Sequence, residues 1–449
     1  MNAALPSTIK DLSKASVTAL SADRKEPAWA LELRLAALEN FLALPWPDSK
    51  DERWKRTPLD QLSLDQLSPA AGFTRALPGI ESLQGQLKAL GHSAPGNGNA
   101  PARRFSDFTL GQTADIPELF RQRNVEWLSL DEAVKSRPDL IRAAWEAAVT
   151  RSKQDKFRSL VLALANGGSC LIVPRGQVLK APFMSYVGGG EAGQAYFPLN
   201  FFFLEEAAEA QVWEELVGRD SGDGAMFVAS YTAIEMKENA KGGFYYLQRW
   251  DQGTAHLQFQ DVVQKGFSRF NAVAVSMGGR VFRNETVVNL EGQGAENKVL
   301  GVLFGEKNQN FENWISQMHL APKTTSDIQY RGALKGAAHS FFSGLVSIKK
   351  EAQQSDAYQA AKTLLLSNEA KADAIPNLEI LADDVKCSHG AAVGPVDEDQ
   401  KFYLRARGID PTLAEKMIVE GFFEPVIAEV PSEAVRERLR SFIDDKLKT

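Results

Sequence analysis

Lys386-Cys387-Ser388-His389-Gly390 is the one stretch of this chain where residue type and spacing together suggest metal chemistry. In an extended strand, residues i and i+2 project to the same face, so the Cys387 thiol and the His389 imidazole would stand side by side. Thiolate and imidazole are ligands that iron uses, alone or in clusters with sulfide. Two ligands do not close a four-coordinate site. The pair is therefore expected to be half of one, completed by residues of another chain; Asp383 and Asp384 are near in sequence but are harder donors. The competing reading is a buried structural cysteine and a satisfied histidine beside a turn glycine, because free cysteine is among the most buried residue types. Cys170 opens the apolar run Leu171-Ile172-Val173 and is expected to be a packed, inert thiol. His256, His319 and His339 have no companion at metal-ligand spacing and receive no role.

Other chemistries leave no trace. Gly188-Gly189-Gly190-Glu191-Ala192-Gly193 satisfies the dinucleotide-binding pattern literally, but Ala195-Tyr196-Phe197-Pro198-Leu199 follows it and reads as a strand. The motif needs a helix there to receive the pyrophosphate, so this is a glycine turn. The chain has no Gly-rich loop ending in Gly-Lys-Ser/Thr, no His-Glu-x-x-His and no Gly-x-Ser-x-Gly. It therefore carries no standard self-contained active site and no P-loop of its own.

The elements that must position Cys387 and His389 come in the order helical, β, helical. Leu31, Leu35, Leu38 and Leu42 recur at helical spacing before Pro45 and Pro47. A second helical region spans about residues 130–164, and His92 to Pro101 is a Gly/Asn/Pro loop. From Cys170 onward, short apolar or alternating runs such as Thr286-Val287-Val288-Asn289-Leu290 are punctuated by Gly, Asn, Asp and Lys. Such an all-β run can be a sandwich, a barrel or a stacked solenoid, and its length favours the solenoid. Asp397 and Asp410-Pro411 are helix starts, and Met417, Ile418, Phe422 and Phe423 would lie on or beside one apolar face. The expected domains are 1–165 helical with a loop near 92–101, 166–390 β, and 391–449 helical.

Length and charge bound the partners. A chain of 449 residues is too long for one ordinary compact core unless a repeat fold absorbs it. A net charge of −6 without a basic cluster argues against nucleic acid. No window of about 18 apolar residues would span a membrane. The N-terminus lacks a charged region followed by an apolar one, and two cysteines are too few for a disulfide framework, so a reducing cytoplasm is the expected setting.

A series of segments between Ala321 and Glu429 resembles the SufB/SufD family of the SUF iron–sulfur cluster assembly system. The resemblance rests on Leu320-Ala321-Pro322-Lys323-Thr324-Thr325-Ser326-Asp327, Gln354-Ser355-Asp356-Ala357-Tyr358-Gln359, Ala372-Asp373-Ala374-Ile375-Pro376-Asn377-Leu378-Glu379-Ile380, the Cys387 segment, and Ile418-Val419-Glu420-Gly421-Phe422-Phe423, in that order. Trp54-Lys55-Arg56-Thr57 is similar to an N-terminal element of the family, with Arg56 where a tyrosine is usual. Cys-Ser-His-Gly at 387–390 resembles the SufD branch rather than the Glu-His-Glu-Ala-like sequence of SufB. The resemblance implies a right-handed parallel β-helix between helical domains and a heterodimer with SufB through that helix. It also implies docking of the SufC ATPase on the C-terminal helices, where Met417, Phe422 and Phe423 are the candidate contacts. It implies a non-catalytic scaffold with no intrinsic cofactor, His389 and Cys387 facing a cluster or iron shared with SufB, and a homodimer as the state open to the isolated chain. The alternatives are a SufB-like cluster-building subunit and a β-solenoid enzyme.

Overall fold

The computed structural model describes residues 12–48, 50–62, 64, 68–69, 101–108, 111–218 and 224–448. Its core is a parallel β-solenoid whose consecutive strands alternate between two facing sheets. One sheet runs from Glu126–Ser129 through Ser169–Val173 to Lys371–Ile380; the other runs from Gly111–Asp115 and Ala102–Asp107 through Phe183–Gly188 to Lys386–Pro395. Equivalent residues of successive coils lie 26 apart at Ala255 and Val281 and 32 apart at His339 and Lys371. Stacking aligns side chains into columns. One inward column reads Phe183, Val212, Phe244, Ala272, Val299, Ile328, Gln359 and His389, apolar along the barrel and polar in its last two coils.

The turns stack as regularly as the strands. Ala207, Asn239, Phe267, Lys323 and Gln354 all adopt left-handed backbone with φ between 55° and 61°, and Gly294 joins them at 70°. Each turns its N–H toward the next coil: Ala207 donates to Glu238, Asn239 to Gly266, Phe267 to Gln293, Gly294 to Pro322, Lys323 to Gln353 and Gln354 to Asp384. This ladder explains why Gly, Asn and Lys punctuate the sequence here. Strain of about 1–3 kcal/mol at a non-glycine left-handed residue persists only where the surroundings hold it, and the inter-coil hydrogen bond does so.

The helices Ala28–Ala43, Leu130–Ser136, Pro138–Arg151 and Lys156–Leu164 pack on the outer face of the first sheet, with Trp145 fully buried among them. The N-terminal region is not purely helical. Its strands Ala102–Asp107 and Glu126–Ser129 join the two sheets, and both were missed because they are only a few residues long. The solenoid also runs to Pro395 rather than stopping at residue 390. The expected loop at 92–100 lies outside the described residues. Asp397 and Asp410 cap the two following helices, each accepting two backbone N–H groups, as their spacing implied.

A buried ionic network fastens the N-terminal layer to the solenoid. Arg158 meets Asp261 at 2.6 Å and Asp155 at 3.4 Å, and Arg283 meets Glu312 at 2.6 Å and Glu285 at 2.5 Å. Arg53 reaches Asp155 at 2.7 Å and also Glu285. Burial alone would raise the Glu285 carboxyl, but Arg283, Arg53 and Arg158 hold it well below the usual carboxylate range. The Trp54-to-Thr57 element works at this junction: Trp54 lies under the Arg283 guanidinium at 4.0 Å, and the Thr57 hydroxyl donates to Glu312 at 3.0 Å. Truncating one member strands opposite charges in a dry site. Arg283→Ala should therefore lower unfolding free energy by about 3–5 kcal/mol in urea titration; a loss below about 1 kcal/mol, the scale of a surface pair, would contradict the account.

Candidate functional site

Cys387 and His389 sit on the last strand, Lys386–Pro395, at the end of the solenoid, where no further coil stacks among the described residues. Their parity is the one expected: both belong to inward columns, Cys387 beside Ala357 and His389 beside Gln359. Their burial differs. Cys387 is half-buried against the core, as are Ala374, Leu378 and Val385, whereas His389 is exposed because none of the described residues covers it. Beneath it, Gln359 is fully buried and reaches across to the other sheet, its amide donating to the Asn377 carbonyl at 2.9 Å. Gly344 makes this crossing feasible, since a Cβ there would lie 2.0 Å from the Gln359 Oε1.

The thiol is not the activated nucleophile that a neighbouring lysine would produce. Lys386 is exposed and faces outward, and the Cys387 pKa is raised, first by burial and then by the Asp356 carboxylate. Cys170 is fully buried, and burial pushes its thiol to about 12, consistent with an inert packed cysteine. Asp384 closes the turn ladder, its carbonyl accepting from the Gln354 N–H, and Asp383 before it is exposed. Among the described residues, no three His, Cys, Asp or Glu side chains are grouped to hold a metal. His389 and Cys387 thus offer one imidazole and one protonated thiol at an open edge, a donor pair that another chain would have to complete.

The remaining histidines of the β region are occupied. His256 is fully buried between the Ser230 hydroxyl at 2.9 Å and the Trp250 indole N–H at 3.0 Å, and burial drives its pKa to about 3. His319 is held between Thr324 and Ser326, with its pKa lowered by burial to about 4. His339 contacts Asn310 and Asp373. The glycine turn at 189–193 leads into the strand Gln194–Tyr196, so it receives no helix.

The C-terminal helices present a different surface from the one expected. Phe423 is 0% exposed and packs with Val419 and Val426 against Val273, Val275 and Leu300 of the second sheet, so it anchors the helix and cannot meet a partner. Phe422 is half-buried beneath the Arg331 guanidinium at 5.2 Å. Met417 is exposed, and so are Phe402, at 70%, Tyr403 and Leu413, which sequence reasoning missed. Their signal was available: Phe402-Tyr403 lies in a short helix, Glu398–Ala406, with no buried residue of its own. On the final coil, Ile375 and Val393 are also exposed.

Residues 186–422 match the family described as SUF system FeS cluster assembly, SufBD core domain. The chain is 28% identical over 434 residues to the iron–sulfur cluster assembly protein SufD of Bacillus subtilis, covering 95% of this chain and 96% of that one. It is 25% identical over 441 residues to SufB of the same organism, covering 96% and 92%. A SufBD family protein of Mycobacterium tuberculosis is 30% identical over 302 residues, covering 65% and 74%.

Because Cys387 has a raised pKa, its alkylation should be slow at neutral pH and accelerate above the ordinary thiol range near pH 8.5. Mass-resolved iodoacetamide labelling of the folded chain should modify Cys387 slowly and Cys170 only after unfolding; rapid labelling of Cys387 at pH 7 would contradict this environment. With the parallel solenoid, the core match and relatives aligned over nearly the whole chain, the protein belongs to the SufBD family of the SUF iron–sulfur cluster assembly system.

Proposed function

We propose that this chain is a SufD-type scaffold subunit, cytoplasmic and without catalysis of its own, that pairs with a SufB-type chain and docks a SufC-type ATPase. The observation that carries the pairing is the unfinished end of the solenoid. Among the described residues, Lys371–Ile380 and Lys386–Pro395 each pair on one side only, so their other edges present unpaired backbone groups beside exposed Ile375 and Val393. Continuing both sheets into a second solenoid satisfies these edges and covers the end of the core. In the isolated chain, a second copy is the available substitute.

His389 lies at this same edge, so in the assembled complex its imidazole can meet ligands from the partner. The nascent cluster is the cargo. His389 supplies a nitrogen donor, and Cys387 supplies sulfur only once deprotonated, which makes it the weaker contributor. His389→Ala should leave folding and complex formation intact but lower iron and acid-labile sulfide in complex purified anaerobically, whereas Cys387→Ala should change them less. Equal cluster content in wild type and His389→Ala would remove the site assignment.

Support for ATPase docking comes from the exposed apolar residues of the C-terminal helices. Burying a lone charge in such an interface is costly. Met417→Asp with Phe402→Asp should abolish co-purification of the ATPase while the solenoid stays folded by circular dichroism. Phe423→Asp should instead destabilise the chain itself, because that ring is core. Undiminished ATPase binding by the double variant would move the docking surface elsewhere.

A further inference from the structure

At the end of the solenoid away from His389, three buried residues stand in register on adjacent strands of the second sheet: Arg104, Ser185 and Glu214. Across from them, on the first sheet, stand Asn200, Ser230 and His256. These six line a chamber of about 20 Å³ between the sheets. A single bound water needs a cavity of about 10–15 Å³. The chamber therefore suits a ligand of one heavy atom.

The lining offers donors rather than acceptors. Arg104 is 4% exposed; its two terminal nitrogens donate to the Gln112 side chain and the Trp127 carbonyl, while its Nε–H has no partner. Arg104 forms no ion pair among the described residues, and Glu132, the acid that acts on it, is held by the Ser129 N–H and hydroxyl. Trp250 fixes a second donor. An indole N–H only donates, so the His256 Nδ1 that meets it at 3.0 Å is the acceptor. Burial keeps that ring neutral, with a pKa of about 3, so its proton sits on Nε2 and goes to the Ser230 oxygen at 2.9 Å. The Ser230 hydroxyl proton then has no acceptor among the described residues. Two groups could oppose an anion here. The Asn200 Oδ1 is turned to the Ser169 N–H and hydroxyl. Burial lifts the Glu214 carboxyl to about 7, so below neutral pH it carries an O–H. A buried cation without a counter-ion, beside unspent donors, favours a small anion.

We propose that this chamber binds one monovalent anion of halide size. Such an ion balances Arg104 and ties the strand Ala102–Asp107 to the facing sheet. The site is separate from the His389 edge and does not rest on the pairing proposed above. The probe is sodium chloride, exchanged for sodium gluconate at constant ionic strength and about pH 6, where Glu214 is protonated. The readout is the thermal unfolding midpoint of the full chain. Gluconate is too large to enter. Chloride should raise the wild-type midpoint by about 2–4 °C once it exceeds its dissociation constant about tenfold. Arg104→Met should lose that shift, Ser230→Ala should lose about half of it or more, and Lys350→Ala, on a distant turn, should keep it. Acetate, equally charged but larger, should act as gluconate does. No chloride shift in wild type, or the full shift in the folded variants at Arg104 and Ser230, would overturn the proposal; should Arg104→Met not fold, Ser230→Ala alone decides. An acetate shift equal to that of chloride would also overturn it, because the anion would then act on the surface alone.

Discussion

A parallel solenoid satisfies the backbone of each strand by laying another coil on it, and the last coil has none. That constraint sets how this molecule's solenoid ends. Among the described residues, Lys371–Ile380 pairs as a strand with His339–Ile348 alone, and Lys386–Pro395 with Asp356–Leu365 alone. The inward columns that bury Phe244 and Ile328 in mid-barrel end at an exposed His389. An edge of this kind is an aggregation hazard unless it is paired or covered.

The other end is finished differently. Short antiparallel strands, Gly111–Asp115 and Glu126–Ser129, terminate the two sheets there, and the N-terminal helices brace the first sheet from outside. The buried charges at that brace are arranged in alternation, each arginine between carboxylates, which offsets the desolvation that an isolated ion would suffer. One end finishes in short antiparallel strands, and the other in full-length parallel strands. Cys387 and His389 lie on the last strand of the second of these ends.

Much of this was legible in the sequence. The parity of Cys387 and His389, the caps at Asp397 and Asp410, and the glycine turn before Gln194 all follow from local rules, and local rules read well from one sequence. What distinguishes a solenoid from a sandwich is not local: Ile328, Gln359 and His389 become neighbours only through coils about thirty residues apart, so periodicity within a strand leaves the choice open. The raised Cys387 pKa was not legible, because its causes are burial and Asp356 on the neighbouring strand, thirty-one residues away in sequence. Phe423 was misassigned for a related reason. An apolar helix face shows that something covers it, and here the cover is this chain's own β-sheet.

Hydrogen–deuterium exchange at the final coil tests the central claim most directly. The backbone amides of 371–380 and 386–395 would be compared between the isolated chain, at concentrations where it is monomeric, and the same chain mixed with the SufB-type chain proposed to pair with it. Pairing through the open edges predicts that the edge-facing amides of both strands exchange freely in the monomer and become strongly protected in the complex, while mid-barrel strands such as Val281–Leu290 stay unchanged. A complex that forms with exchange at both final strands unaltered would contradict the account.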